Sequence, residues 1–236
     1  MANYNGVVAA TDEIHDRFNT LTAADIGAAE WVQLVRALFE IGPPKQDGED
    51  SWTERSLRAF DDFLDATWAK ARKPPQQKPC RVFVSHQQAD VVYAERIAWL
   101  ANKEGLDYWL DVHDPVLRLA NRWALPPLTK SILIASIIEM ALLNCSHVIT
   151  VQTANAAGSR WVPYEFGRAK QHILHSSQAA SWFDSGRSPV NLNDYLLLGI
   201  CATSEAAVVR WLKSHRVDCV GATSRIGVPE PAPLPN

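Results

Sequence analysis

Apolar and polar residues recur along the chain with two periods, and the changes of period mark its elements. From Thr22 to Ile41, Trp31, Leu34, Val35, Leu38 and Phe39 recur at helical spacing, and Gly42-Pro43-Pro44 closes the pattern. A polar connection, Lys45 to Asp50, leads to Ser51-Trp-Thr-Glu54, a capping-box signature, after which Leu57, Phe60, Leu64, Trp68 and Ala71 form one stripe. Each stripe needs the other or a further surface, so residues 1–72 read as an N-terminal helical hairpin. Its aromatic content suits an interaction module, and a simple cap on the following domain fits equally well.

Lys73-Pro-Pro-Gln-Gln-Lys-Pro79 reads as a linker. The apolar run Arg81 to Ser85 is a buried strand of the parallel kind, and His86 to Asp90 is a polar turn with Asp90 as N-cap. Ala94, Ile97, Ala98 and Ala101 then give an amphipathic helix, Gly105 a C-cap, and Leu106 to Asp111 a second strand, completing a βαβ unit. Val112 to Lys130, with Pro115, Pro126 and Pro127, reads as a long loop, and Ser131 to Asn144 as a very apolar helix. His147 to Val151 is a third strand, Gln152 to Gly158 a loop, and a helix begins at Ser159, where Pro163 falls among backbone N–H groups that are still free. Gln178 to Asp194 reads as irregular apart from Trp182 and Phe183. Tyr195 to Ile200 reads as a strand and Ser204 to His215 as a helix with Ala207, Val208, Trp211 and Leu212 inward. The tail, 217–236, holds four prolines from Gly221 onward and reads as extended or disordered.

Strands alternating with helices at this spacing define an α/β fold, a flavodoxin-like doubly wound parallel sheet over residues 80–216. Ligands bind such sheets beyond the carboxyl ends of the strands. The loops of interest are therefore Ser85 to Asp90, Asp111 to Lys130 and Gln152 to Trp161.

Composition narrows the functional classes. The 236 residues are 47% hydrophobic and 21% charged, as in an ordinary globular protein. A net charge of -3 and a pI near 6.2 argue against broad phosphate neutralisation, so no nucleic-acid partner is expected. Cys80, Cys145, Cys201 and Cys219 form no C-x-x-C pair and read as reduced thiols. The first residues lack the basic and apolar regions of a signal peptide, and the apolar run Ser131 to Ile138 is too short to span a bilayer. A cytoplasmic protein without a membrane partner is the expectation. Gly-rich phosphate loops of the Walker or dinucleotide type are absent, which argues against an NTPase or a hydride-transfer enzyme.

Candidate chemistry centres on Ser159-Arg-Trp-Val-Pro-Tyr-Glu-Phe-Gly-Arg-Ala-Lys170. Trp161 and Glu165 are four apart, which puts an indole and a carboxylate on one helix face, near the helix's positive end. An aromatic surface beside a carboxylate suits a sugar next to a cationic leaving group. A core tryptophan and an acid favoured by the helix dipole explain the same pair. His172 and His175 lack an acid or cysteine at ligand spacing, so no metal is expected, and Cys201 fits a core thiol better than a nucleophile.

Val82-Phe-Val-Ser-His86, Gly105-Leu-Asp-Tyr-Trp-Leu-Asp111, the helix and strand from Ile138 to Val151, and Ser159-Arg-Trp-Val-Pro-Tyr-Glu165 together resemble a bacterial TIR (Toll/interleukin-1 receptor) domain. The resemblance spans Cys80 to Arg216 and leaves out the N-terminal hairpin. It implies an enzyme that cleaves the nicotinamide–ribose bond of NAD+, a substrate rather than a cofactor, releasing ADP-ribose or a cyclic product. In that family the essential glutamate follows a tryptophan by four residues, which matches Glu165 and Trp161. Phe83, Ser85 and His86 match positions lining the nicotinamide–ribose pocket, and Asp111 matches an acidic position at its rim. The resemblance also implies self-association, through the TIR domain and by extension the hairpin, and a downstream effector that senses the product. The segment after Asp111 departs from the family: it lacks the usual Pro-Gly or Gly-Asp pair and is richer in proline. A non-catalytic TIR scaffold and a deoxyribosyltransferase-type enzyme are the competing readings.

Overall fold

The computed structural model describes residues 25–40, 49–71, 80–122, 124–172, 176–184, 193–216 and 230–235. In chain order its elements are α1 (Ala28–Glu40), α2 (Glu49–Ala71), β1 (Arg81–Ser85), α3 (Val91–Lys103), β2 (Asp107–Trp109), α4 (Pro115–Arg122), α5 (Pro127–Asn144), β3 (His147–Gln152), α6 (Trp161–His172), β4 (Ala179–Phe183), β5 (Ile200–Ala202) and α7 (Glu205–Arg216). They fall into two compact units, Met1–Gln76 with Asp111–Asn144, and Gln77–Leu110 with Cys145–Asn236. The boundary at Gln76 falls within the Pro-rich linker. Residues 111–144, read from the sequence as part of the sheet domain, cluster with the N-terminal helices instead.

In the first unit α1 and α2 pack on each other and both pack on α5. Trp31, Leu34, Val35 and Leu38 form the buried stripe of α1, as their spacing requires. Trp31 Nε1 donates to Ser136 Oγ of α5 at 3.0 Å, and Asn144 at the far end of α5 exchanges hydrogen bonds with the backbone of Ile26 at 2.7 and 2.8 Å. Gly27, with φ of 88°, admits this approach, since a Cβ there would lie 2.9 Å from Thr67 Cγ2. The helices 28–40 and 49–71 thus cover α5. By composition α5 could cross a bilayer, but 67% of that window is buried, as in the core helix of a soluble protein.

Two expectations for this stretch are corrected. Val112 to Lys130 contains the helix α4, and α5 begins at Pro127 rather than Ser131. The prolines mislead because they stand at first helical positions, where the missing N–H is no loss. Asp114 Oδ1 accepts from Leu117 N at 2.9 Å and caps α4.

The second unit is built on a five-stranded sheet, all parallel, in the order β2-β1-β3-β4-β5. That is the flavodoxin-like order, with its switch point between β1 and β3. Every residue of β1, β3 and β4 is buried, which explains why apolar residues stand on both faces of β1 and β3. Gly105, with φ of 85°, ends α3 as the sequence indicates, and Leu106 N returns to Ala101 O at 2.9 Å. Register pairs Ser85 with Thr150 and Thr150 with Ser181, so these hydroxyls form a row on one face. Val151 and Trp182 pair on the opposite face, where Tyr93 of α3 meets the indole at 5.2 Å.

Three further expectations change. Ala179–Phe183 is a central strand, hidden in the sequence because its alanines and serine have weak strand preference. Tyr195 to Ile200 is mostly a 3-10 turn, Asp194–Leu198, and the strand follows at Ile200–Ala202. Cys80 is disulfide-bonded, while Cys145 is a buried and Cys201 an exposed free thiol. Four reduced thiols are therefore not what the fold contains; separation in sequence says nothing about approach in space. Cys219, Trp123, His175 and most of the tail lie outside the described residues.

At the amino end of the sheet, His147 opens β3 with its ring 4.7 Å from that of His215 on α7, and Ser146 Oγ meets its Nδ1 at 2.8 Å. Burial, reinforced by His215, lowers its pKa from 6.5 to about 3. The neutral ring is then the folded form, whereas the unfolded chain takes up a proton below pH 6.5. This contribution is complete above pH 6.5 and is lost as pH falls toward 3, at about 1.4 kcal/mol per unit. Urea unfolding of the wild type and His147→Gln at pH 7.5 and 4.5 checks this: the wild type should lose roughly 2–3 kcal/mol more than the variant. Parallel losses would show that His147 titrates normally.

Candidate active site

Val162, Phe166 and Ala169 are the buried stripe of α6, and Glu165 lies on that stripe, 7% exposed. Ser159 Oγ accepts from Val162 N at 3.2 Å, so the helix starts where the sequence indicates. On the second turn, the Glu165 carboxylate faces the end of β1 and its Oε2 accepts a 2.6 Å hydrogen bond from Ser85 Oγ. Ser85 is fully buried, and His86, nearly so, follows it at the carboxyl edge.

A hydroxyl donating to a carboxylate could in principle be a base-activated nucleophile. A carboxylate is too weak a base to hold the proton of an alcohol at neutral pH, so the hydroxyl orients the acid rather than the reverse. Bonds of this charge-assisted kind stabilise by about 1.5–3 kcal/mol. The arrangement fixes one carboxylate, largely desolvated, at the ligand-binding edge of a parallel sheet.

Phe83 shares a face of β1 with Ser85, but its ring is inside the core, stacked on Trp109 at 4.8 Å and 22°. Trp161 is one turn before Glu165, as the spacing requires, yet it is 43% exposed and meets Tyr164 edge to face at 5.8 Å. The carboxylate is buried and the indole is on the surface, so the two do not share one environment. Asp111 belongs to the other compact unit, where it opens a 3-10 turn and its Oδ1 accepts from Val112 N at 2.6 Å. Within the second unit the fold therefore joins Ser85 directly to Glu165, sets His86 beside Ser85, and leaves Trp161 on the outer side of the same helix.

Sequence reading missed a polar clamp between the loops after β1 and β3. Asp90 occupies the N-cap position of α3 without making a capping bond. Its buried carboxylate instead accepts from Thr153 Oγ1 at 2.6 Å and from Asn155 Nδ2 at 2.8 Å. Also missed was a second group under α6, where Gln152 Nε2 donates to Thr150 Oγ1 at 3.1 Å and Thr150 Oγ1 to Ser181 Oγ at 2.9 Å. Burial pushes the Tyr195 phenol up, against hydrogen bonds from Asn193 and Gln152 that push it down. The available signal was Thr150 and Gln152 two apart in an otherwise apolar strand, since polar residues on one buried face need partners.

Among the described residues no three His, Cys, Asp or Glu side chains converge as metal ligands. Comparison with protein-family models, curated proteins and solved structures returned no match for this chain.

The clamp makes a direct prediction. Asp90→Ala removes two bonds to a buried acceptor and strands the buried Thr153 donor, which should lower stability by about 2–4 kcal/mol. Denaturant titration measures the loss. Thr153→Val should cost less, because Asp90 keeps Asn155.

Proposed function

We propose that this chain is a TIR-domain NAD+ glycohydrolase or cyclase with Glu165 as its catalytic residue. The observation that carries the reading is the Ser85–Glu165 pair, a buried carboxylate set by a hydroxyl at the carboxyl edge of the sheet. The resemblance of Ser159–Glu165 and of Val82–His86 to TIR motifs supplies the substrate. In this mechanism the C1′–N bond of NAD+ breaks heterolytically, its electron pair leaves with neutral nicotinamide, and positive charge develops on the ribose. Glu165, hydrogen-bonded to ribose hydroxyls, stabilises that charge. No general acid is required, because the leaving pyridinium is already cationic, unlike an ordinary glycoside. Attack by water with loss of a proton gives ADP-ribose; attack by an atom of the adenosine half gives a cyclic product. His86 and Ser85 form the floor, and Trp161, on the surface one turn before Glu165, takes no part in the step.

The same reading includes a cytoplasmic role in bacterial antiviral defence or signalling, with a downstream effector that senses the product. Self-association through the TIR domain has a specific supporting feature: Leu197, Leu198 and Ile200, at 66%, 58% and 45% exposure, lie beside β5, the edge strand of the sheet among the described residues. That edge also favours the second reading, a scaffold that assembles TIR domains without catalysis. The N-terminal helices are a further candidate for assembly or control, but deleting them would strip α5 of its cover, so deletion does not isolate that role.

Full-length protein at several concentrations is incubated with NAD+, and nicotinamide and ADP-ribose species are resolved by chromatography and mass spectrometry. Nicotinamide release should fall by about 100-fold or more in Glu165→Ala. Ser85→Ala, which loses only the orienting hydroxyl, should fall by about 10–100-fold. Release that persists in Glu165→Ala would overturn the assignment. Absence of release at every concentration would favour the scaffold, and base exchange on a deoxynucleoside would favour a deoxyribosyltransferase.

A further inference from the structure

The second unit carries a built peptide site remote from Glu165 in sequence and independent of the proposed activity. Residues 230–235 are not loose: Leu234 is 3% exposed, and the segment Glu-Pro-Ala-Pro-Leu-Pro is bound by side chains of α3 and α7. Arg96 of α3 donates from Nε and Nη2 to the two oxygens of Glu205 on α7, at 2.9 and 2.6 Å. From Nη1 it donates to Glu230 Oε1 at 2.8 Å and to Pro231 O at 3.0 Å. Glu205 Oε2 in turn accepts from Leu234 N at 2.7 Å. Arg96 is buried and lies 4.7 Å over the Trp99 ring, which fixes its guanidinium from below. The interlocked pair accounts for both titrations: Glu205 is lowered by Arg96, and Arg96 is raised by Glu205.

Each feature reads a different property of the ligand. Arg96 reads an acid and the carbonyl after it, Glu205 reads a backbone N–H three residues on, and the buried site takes a leucine. The flanking prolines hold the segment extended, so little entropy is lost on docking. We propose that the α3–α7 groove is a recognition site for this acidic, proline-flanked, leucine-anchored segment, and that a second copy of this chain can supply it. The stretch from Cys219 to Glu230 spans on the order of 35 Å when extended, enough to reach a neighbouring copy. The chain's own segment competes through its high effective concentration, so exchange requires crowded copies.

The test uses full-length chains. A variant with Glu230→Ala and Leu234→Ala keeps the groove and loses the ligand; a labelled peptide of residues 228–236 is the probe. Fluorescence anisotropy should show saturable binding to this variant and binding about tenfold weaker or less to the wild type, whose groove is filled. The peptide carrying Leu234→Ala should lose binding, a control on the ligand side that does not depend on folding. Equal binding to both chains, or none to a variant with wild-type circular dichroism, overturns the groove. Mixing the tail variant with Glu205→Gln, which keeps the ligand and weakens the groove, should give a species heavier than either alone in sedimentation. Peptide binding without that species overturns the second copy as its source.

Discussion

The placement of one buried carboxylate constrains most of the second unit. Glu165 is on the stripe of α6 that also buries Val162 and Phe166, so its position is dictated by helix docking rather than chosen freely. A carboxylate removed from water without a partner would be destabilising by several kcal/mol, on the order of the stability of a whole domain. The Ser85 hydroxyl meets that need only because β1 ends where α6 passes, and β1 ends there because its register against β3 pairs Ser85 with Thr150. Strand register, helix docking and the orientation of the acid are therefore one problem with one solution.

Polar groups are placed at the two ends of this sheet in opposite ways. At the carboxyl edge hydrogen bonds link them, with Asp90 tying Thr153 and Asn155 and with Thr150, Ser181 and Gln152 joined beneath α6. Such bonds restrain the loops that frame Glu165, since each one narrows the arrangements open to them. At the amino edge His147 is held neutral by burial and by His215. Acid therefore acts on the sheet from the end away from the candidate site, and a loss of fold in acid need not reflect chemistry at Glu165.

Periodicity made the parallel strands β1 and β3, the helix α3 and its glycine stop, and the start of α6 legible, because each depends on its own residues. Ser159 was legible for the same reason, whereas Glu165 stood out only through its spacing from Trp161 and the resemblance to a TIR motif. What escaped depends on partners. Ala179–Phe183 is a strand because β3 and β5 flank it, and nothing in two alanines and a serine states that. Asp90 reads locally as a cap, yet its carboxylate serves residues more than sixty positions on. Proline misled at Pro115 and Pro127, where it begins helices, and again in the tail, where it stiffens a docked segment. A missing N–H is compatible with a helix start, a turn or an extended strand, and only tertiary context selects among them.

The helix α3 joins the candidate site and the proposed tail groove, since its first turn follows the Asp90 clamp and its middle carries Arg96. Communication between tail groove and candidate site would have to pass along it. Coupling, however, needs an element with two arrangements of similar energy. Asp90 is held by two hydrogen bonds at one end, Arg96 by Glu205 and the Trp99 ring further along, and Ala94, Ile97, Ala98 and Ala101 are packed between them. Sliding or turning this helix would break both polar anchors at once. Emptying the groove therefore leaves Glu165 and Ser85 where they are, and any effect of tail exchange on activity arises from bringing copies together. Glu165-dependent turnover in dilute Leu234→Ala protein should equal that of the dilute wild type; a change there would show that α3 moves.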